Sequence, residues 1–428
     1  MLVALTLGLL AFQLIIGLPV ALSMLVAGSV GLWAFGGAPI LMGILGTTPL
    51  STANSYELIT IPMFILMAEF VIVSGVASSL FTSAMIWVGR LRGGVAMATA
   101  LAGAGFGAIS GSSTAAAATL ASTSLPEMMR QGYDPKLAGG VVAISGTLAM
   151  LIPPSIALIL FGILADVSIS KLLIAGIVPG LIVASSIIAT VAVLVFIWPE
   201  SAPTGRAYTM REKFASLSRV GPMLVLFFAV TGTIYTGIAT PTEASAIGAF
   251  VAMILAIVQG GMRMPGFMDA LVRACLTTCM ILFVILGAHV FGYFFTITRV
   301  TNDITSWVGG LPLAPLTIMS IILLGYIVLG FFMDQVAILI LTVPVVLPVV
   351  LDLGFNPIWF GVLVVVTAEL GMVTPPLGMN VFVVARYTRR PLGELFRGVL
   401  PHIIAHVLVI ALLTLFPAIV LWLPSNLK

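Results

Sequence analysis

What most constrains this chain is the distance between its charges. Its 31 charged residues, 17 Lys and Arg and 14 Asp and Glu, make up 7% of 428 positions. They gather in short clusters separated by apolar stretches of roughly 18 residues or more, each long enough to cross a hydrocarbon core of about 30 Å. A soluble protein carries about 25% charged residues, so a soluble fold is excluded. In lipid a spanning backbone must satisfy its own hydrogen bonds, and the apolar runs therefore predict an all-α polytopic membrane protein. The segments fall at 2 to 16, 19 to 36, 57 to 89, 95 to 126, 136 to 166, 171 to 198, 220 to 238, 241 to 260, 269 to 299, 313 to 352, 358 to 385 and 398 to 424. The apolar start lacks a basic leader and is read as a first span. The formal charge of +3 does not argue for nucleic acid, because basic residues between spans follow orientation rules. Cys275 and Cys279 are expected as small core residues rather than a metal or redox pair. No Walker motif is present, which excludes ATP hydrolysis by this chain.

One hydrophilic linker, 199 to 219, divides the sequence near its middle and prompts a search for internal repeats. A gapless shift of 222 lays Gly107–Ser155 on Leu329–Leu377 with 11 identities in 49 positions, six of them Gly or Pro. The pairs include Pro126/Pro348, Gly132/Gly354, Pro135/Pro357, Gly139/Gly361, Pro153/Pro375 and Pro154/Pro376. Chance matches between membrane sequences pair Leu, Val and Ala, whereas backbone breakers in register imply the same breaks in the same places. The repeats are expected at 1 to 198 and 220 to 428.

Charge placement orients them. Arg90 and Arg92 precede segment 95 to 126 while Arg130 and Lys136 follow it, so both ends belong on the cytoplasmic side and the segment is expected to be a re-entrant hairpin with its tip at Gly107–Ser113. Its counterpart, 313 to 352, is flanked by Asn302, Asp303, Asp352 and Asn356 and is expected to open to the other side, with its tip at Phe331–Gln335. Two hairpins and ten crossings leave 14 of the 17 basic residues cytoplasmic, with Lys171, Arg299 and Lys428 outside. Five crossings per repeat make the second repeat inverted and place both chain ends outside the cytoplasm.

Each hairpin is followed by a crossing with a double proline, at 136 to 166 and 358 to 385. Two prolines in succession unwind a helix and free its carbonyls, which in a membrane is costly unless they bind something. Oxygen ligands suit a hard cation. The tips offer serine hydroxyls and helix N-termini that suit a carboxylate. Paired hairpins beside paired breaks are the layout of a sodium-coupled anion transporter. Asp334 at the second tip is a candidate ligand. Glu69 and Glu369 are open to a structural bond or a role in coupling, Glu243 is expected to cap a helix, and His289 is expected to be a satisfied core or interface histidine. No HExxH, GxSxG or paired intramembrane aspartates argue for an enzyme.

The runs IPMFILMAEFVIVSG, WVGRLRGG followed by FGAISGSSTA, PEMMRQGYDP, GTLAMLIPPSI, SKLLIAGIVPG, GIATPTEASAIGA, FNPIWFGVLVVV and TPPLGMN together resemble the large membrane subunit of tripartite ATP-independent periplasmic (TRAP) transporters, over nearly the whole chain. The resemblance implies a sodium-driven elevator in the bacterial inner membrane that takes organic acids from a periplasmic substrate-binding protein and works with a small four-span membrane subunit. Sodium is the implied coupling ion and no other cofactor is implied. The implied sodium ligands are Ser110, Ser112, Thr147, Met150 and Pro153 in the first repeat and Gly330, Asp334, Leu370, Val373 and Pro375 in the second. The implied substrate ligands are Ser112, Ser113, Ser155, Asp334, Thr374 and Asn380. The competing reading is a self-sufficient sodium- or proton-coupled dicarboxylate symporter.

Overall fold

The computed structural model describes residues 1–426, and every regular element among them is helical. The first half contains α1 (Leu2–Ile15), α2 (Val20–Ala53), α3 (Thr60–Ser74), α4 (Val76–Val88), α5 (Gly94–Ser110), α6 (Ser113–Thr123), α7 (Leu125–Arg130), α8 (Pro135–Thr147), α9 (Ile156–Ala165) and α10 (Ile169–Ile197). The second contains α11 (Met210–Phe227), α12 (Thr233–Tyr235), α13 (Pro241–Val258), α14 (Met264–Thr298), α15 (Val300–Gly309), α16 (Pro315–Gly330), α17 (Gln335–Asp352), α18 (Pro357–Gly371), α19 (Met379–Thr388), α20 (Leu392–Leu415) and α21 (Ala418–Asn426). Eight of the helical stretches are long and apolar enough to cross a membrane by themselves. Shorter apolar helices join in pairs across breaks, as α8 with α9 and α18 with α19.

The halves match in their local chemistry. In one, Gly132 turns at φ +85° and Asp134 caps α8 by accepting from the Lys136 amide at 2.8 Å, with Pro135 in the first turn. In the other, Gly354 turns at φ +81° and Asn356 caps α18 by accepting from the Ile358 amide at 2.8 Å, with Pro357 in the first turn. Proline suits a first helical turn because its missing N–H has no intrahelical partner there. The linker's last residues are already helical, since Thr209 and Glu212 form a capping box that starts α11 at Met210.

The closest packing runs between the halves. Helix α2 lies against α14, and α13 against α3, so equivalent helices of the two repeats make reciprocal pairs. Glycine permits the approach: a Cβ on Gly287 would stand 2.5 Å from the Ala21 carbonyl oxygen. Thr60 and Thr242 share a buried hydroxyl contact at 2.8 Å across the α3–α13 seam. Around the hairpins the same reciprocity holds, with α6 packed on α19 and α17 on α9.

The structure corrects four expectations. The segment that was to end at residue 36 resumes beyond Gly36 and Gly37 and stays helical to Ala53; Gly37, at φ +74°, lets the chain turn, and Pro39 sits in the first turn of the resumed helix. The segment 57 to 89 is not one crossing, because Gly75 at φ +72° separates α3 from α4. The segment 398 to 424 divides at Phe416 and Pro417 into α20 and α21. Cys275 and Cys279 are not core residues: both lie on the exposed face of α14, where a chain in lipid tolerates apolar thiols without burying them.

Candidate functional site

The first tip follows from its smallness. Helix α5, GVAMATALAGAGFGAIS, has so little side-chain bulk that it is buried along nearly its whole length. It ends at Ser110, Gly111 takes the left-handed conformation at φ +57°, and Ser112 is extended and caps α6 by accepting from the Ala115 amide. The arm lies directly on the break that follows it in sequence, since a Cβ on Gly107 would stand 2.8 Å from Ala149 Cα. At the break, α8 tightens into a turn at Leu148–Met150 and the chain passes a cis Pro153–Pro154 bond. Ser155 then caps α9, accepting from the Leu158 amide at 3.2 Å while its hydroxyl donates to the Met150 carbonyl. Thr147 donates to the Ile144 carbonyl at 2.7 Å.

The second tip repeats this plan with different side chains. Helix α16 ends at Gly330, and Asp334 caps α17 by accepting from the Ala337 amide at 3.1 Å. Asp334 and Ser112 are equivalent under the 222 shift, so the same capping position is filled by an acid in one repeat and a hydroxyl in the other. A Cβ on Gly330 would stand 2.7 Å from the Ala368 carbonyl oxygen and 2.8 Å from Gly371 Cα, which again seats the tip on its own break. There the Leu370 carbonyl accepts from both the Val373 amide (3.2 Å) and the Thr374 hydroxyl (2.6 Å), and the Met372 carbonyl accepts from the Asn380 amide at 3.2 Å. The Pro375–Pro376 bond is cis. Among the described residues the carbonyls of Pro153, Val373 and Pro375 accept no backbone hydrogen bond.

A polar bridge joins the repeats. Ser113, the first residue of α6, donates to Glu369 Oε2 on α18 at 2.8 Å and accepts from Asn380 Nδ2 on α19 at 2.7 Å. Asn380 Nδ2 also faces the Ala143 carbonyl at 3.4 Å. All three side chains are buried, and Glu369 Oε1 and Asn380 Oδ1 meet no donor. The Ser110 and Ser145 hydroxyls on α5 and α8 are likewise buried without a partner. Bare buried oxygens are costly, and a set of carboxylate, amide and hydroxyl oxygens fits a hard cation or a shared proton rather than a soft metal. Among the described residues no group of three or more His, Cys, Asp or Glu is placed to hold a metal.

Of the residues singled out in the sequence, Ser113 and Asn380 meet directly, while Ser112, Ser155 and Asp334 stand apart as helix caps and Thr147 and Thr374 bond within their own turns. Gln335 is placed in the second tip by the sequence but given no role. It is the 222-shift equivalent of Ser113 and also reaches α18, donating from Nε2 to the Val365 carbonyl at 3.2 Å and leaving Oε1 buried without a donor. Glu69 pairs with Arg273 at 2.8 Å, Glu243 closes a capping box with Thr240, and His289 Nδ1 bonds Thr52 at 2.8 Å. The two breaks differ in access. Pro153, Pro154 and Ser155 are buried, whereas Asp334, Pro375, Pro376 and Leu377 are exposed.

Comparison with known proteins agrees with this architecture. Residues 7–419 match the family described as the tripartite ATP-independent periplasmic transporter, DctM component. The chain is 35% identical over 375 residues to the C4-dicarboxylate TRAP transporter large permease protein DctM of Pseudomonas aeruginosa, covering 87% of each chain. It is 30% identical to the sialic acid TRAP transporter large permease protein SiaM of Vibrio cholerae, again covering 87% of each. The isethionate TRAP transporter permease protein DctMQ of Oleidesulfovibrio alaskensis is 31% identical and longer, with 65% of its length covered. Among solved structures, the YdaH transporter of Alcanivorax borkumensis superposes with a TM-score of 0.65 at 16% identity, over 93% of this chain and 96% of that one, a likeness of fold.

Proposed function

Since the chain belongs to the DctM-component family of tripartite ATP-independent periplasmic transporters, we propose that it carries a carboxylate-bearing organic acid into the cytoplasm across the bacterial inner membrane, coupled to sodium. The observation that carries this reading is the seating of each hairpin tip on its own proline break, with the Ser113–Glu369–Asn380 bridge tying the two repeats together. The unpartnered oxygens there supply what a sodium ion needs, and the N-termini of α6 and α17 supply what a carboxylate needs. Relatives named for C4-dicarboxylates and sialic acid support the acid class. The hairpins and broken helices move as one body, elevator fashion, against the layer of α2, α3, α13 and α14, whose reciprocal packing suits a stationary frame.

In the same reading, a small four-span membrane subunit packs along that frame and a periplasmic binding protein delivers the solute. The longer DctMQ relative has length for a second membrane component in one polypeptide. The test is uptake into proteoliposomes. The purified chain alone should show negligible uptake, and adding the small subunit, a loaded cognate binding protein and an inward sodium gradient should restore it. Robust sodium-driven uptake by the isolated chain would favour the self-sufficient symporter. Full uptake in sodium-free buffer driven by a proton gradient would remove sodium from the scheme.

A further inference from the structure

Away from the tips, at the end of the molecule where α8 and α20 begin and α10 ends, a cavity of about 440 Å³ holds charges of both signs: Asp134, Lys136, Glu200 and Arg397, with Trp198 at its wall. The positive-inside rule places this end at the cytoplasmic surface, and Trp198 is a residue type that favours the headgroup level. Lys136, Glu200 and Arg397 enter no ion pair among the described residues. Leu194 and Pro401 line this cavity and also a second of about 530 Å³, an apolar groove between α10 and α20 walled by residues such as Val193, Ile404, Leu408 and Leu412. Polar cavity and groove therefore adjoin at Leu194 and Pro401, a charged head beside an apolar tail. From Pro401 to Leu412 the groove runs about 16 Å along α20 at ~1.5 Å per residue, close to half of a hydrocarbon core of about 30 Å. A groove one leaflet deep, ending in charges at the interface, has the shape of a phospholipid.

We propose that this space is a binding site for a phospholipid with a primary-ammonium headgroup, phosphatidylethanolamine in chemical class, seated in the cytoplasmic leaflet. The Lys136 ammonium and Arg397 guanidinium take the phosphate, Arg by its forked donors. The Asp134 and Glu200 carboxylates take the headgroup ammonium, which donates hydrogen bonds that a quaternary amine lacks. One acyl chain lies in the groove against α10 and α20. A purely anionic lipid fits less well, because two carboxylates share the cavity with the two cations. The site joins the start of α8 and of α20 to the end of α10, so its occupant braces the hairpin body where it meets the cytoplasm.

The experiment uses the full chain in nanodiscs of phosphatidylglycerol doped with a phosphatidylethanolamine that carries a photoactivatable diazirine on one acyl chain. Crosslinks should map to the facing stretches 186–194 and 404–412. Unlabelled phosphatidylethanolamine should compete, and phosphatidylcholine should compete about fivefold less well. The Lys136→Gln/Arg397→Gln double variant, altered only at exposed positions, should lose about fivefold in crosslinking. Ala405→Trp, which fills the groove from its apolar wall, should lose it while leaving thermal stability near the parent's. Crosslinks elsewhere only, equal competition by phosphatidylcholine, or crosslinking indifferent to the double variant would each overturn the proposal. None of these outcomes depends on whether the chain transports an acid.

Discussion

Glu369 has one carboxylate oxygen on the Ser113 hydroxyl and the other on nothing, in a place almost closed to solvent. Such an arrangement is poor for stability alone, because an apolar or amide side chain of the same shape is cheaper to bury. Glu369→Gln keeps an acceptor for Ser113 and removes the titratable carboxyl group. We expect it to lower uptake by about tenfold or more, the range for losing a functional hydrogen-bonding group, while thermal stability holds or rises. Uptake at the parent's level would reduce Glu369 to a packing role. At this scale the sequence was only half legible. Ser113 and Asn380 stand out as polar residues beside predicted breaks, yet their meeting with Glu369 joins positions 256 and 267 residues apart, and no local pattern reports such a distance. Gln335 was within reach, since the repeat shift lays it on Ser113, but a glutamine beside an aspartate attracts less notice than the acid.

Helices and their breaks were easier to read, because Gly and Pro act locally. The register of Pro153 and Pro154 with Pro375 and Pro376 carried the paired breaks into view. Lone glycines did not carry the same message: Gly37 and Gly75 stand in apolar runs, where a glycine is usually a packing residue, and only their positive φ marks them as turns. The contact between Gly330 and Gly371 gives a test of how tightly tip and break are seated. Gly330→Ala sets a methyl within 2.8 Å of the α18 backbone, which cannot rotate away as a side chain can. We expect a loss of about 1–3 kcal/mol, read as a lower thermal midpoint in detergent. Gly292→Ala, on α14 with nothing within 4 Å of its Cβ, should change stability little or raise it slightly. Equal effects of the two substitutions would mean that the tip is not held against the break.

For the whole molecule, the expectation to test is orientation: five crossings per repeat, as read from the sequence, invert the second repeat against the first. Single cysteines at Gln131, in the turn after the first hairpin, and at Asn302, before the second, should be labelled by impermeant maleimide from opposite faces of the membrane, Gln131 from the cytoplasm. The parent must first lose Cys275 and Cys279, whose exposure on α14 would otherwise give background labelling. Labelling of both positions from one face would overturn the inverted arrangement. The overall plan was legible because charge clusters are sparse, paired prolines recur in register between the halves, and each acts over a few residues. The pairing of α2 with α14 and of α3 with α13 was not, because glycine and threonine contacts such as Gly287 on Ala21 and Thr60 on Thr242 leave no periodic trace. That pairing has a consequence for biosynthesis. Helix α3 emerges from the ribosome with the face that α13 will cover still bare, and about 170 further residues must be made before α13 exists. At ~5–20 residues per second, α3 waits for roughly 10–30 s in the bilayer. During that interval the nascent first half is a target for membrane chaperones and proteases, and the speed of translation through the second half decides how long it stays one.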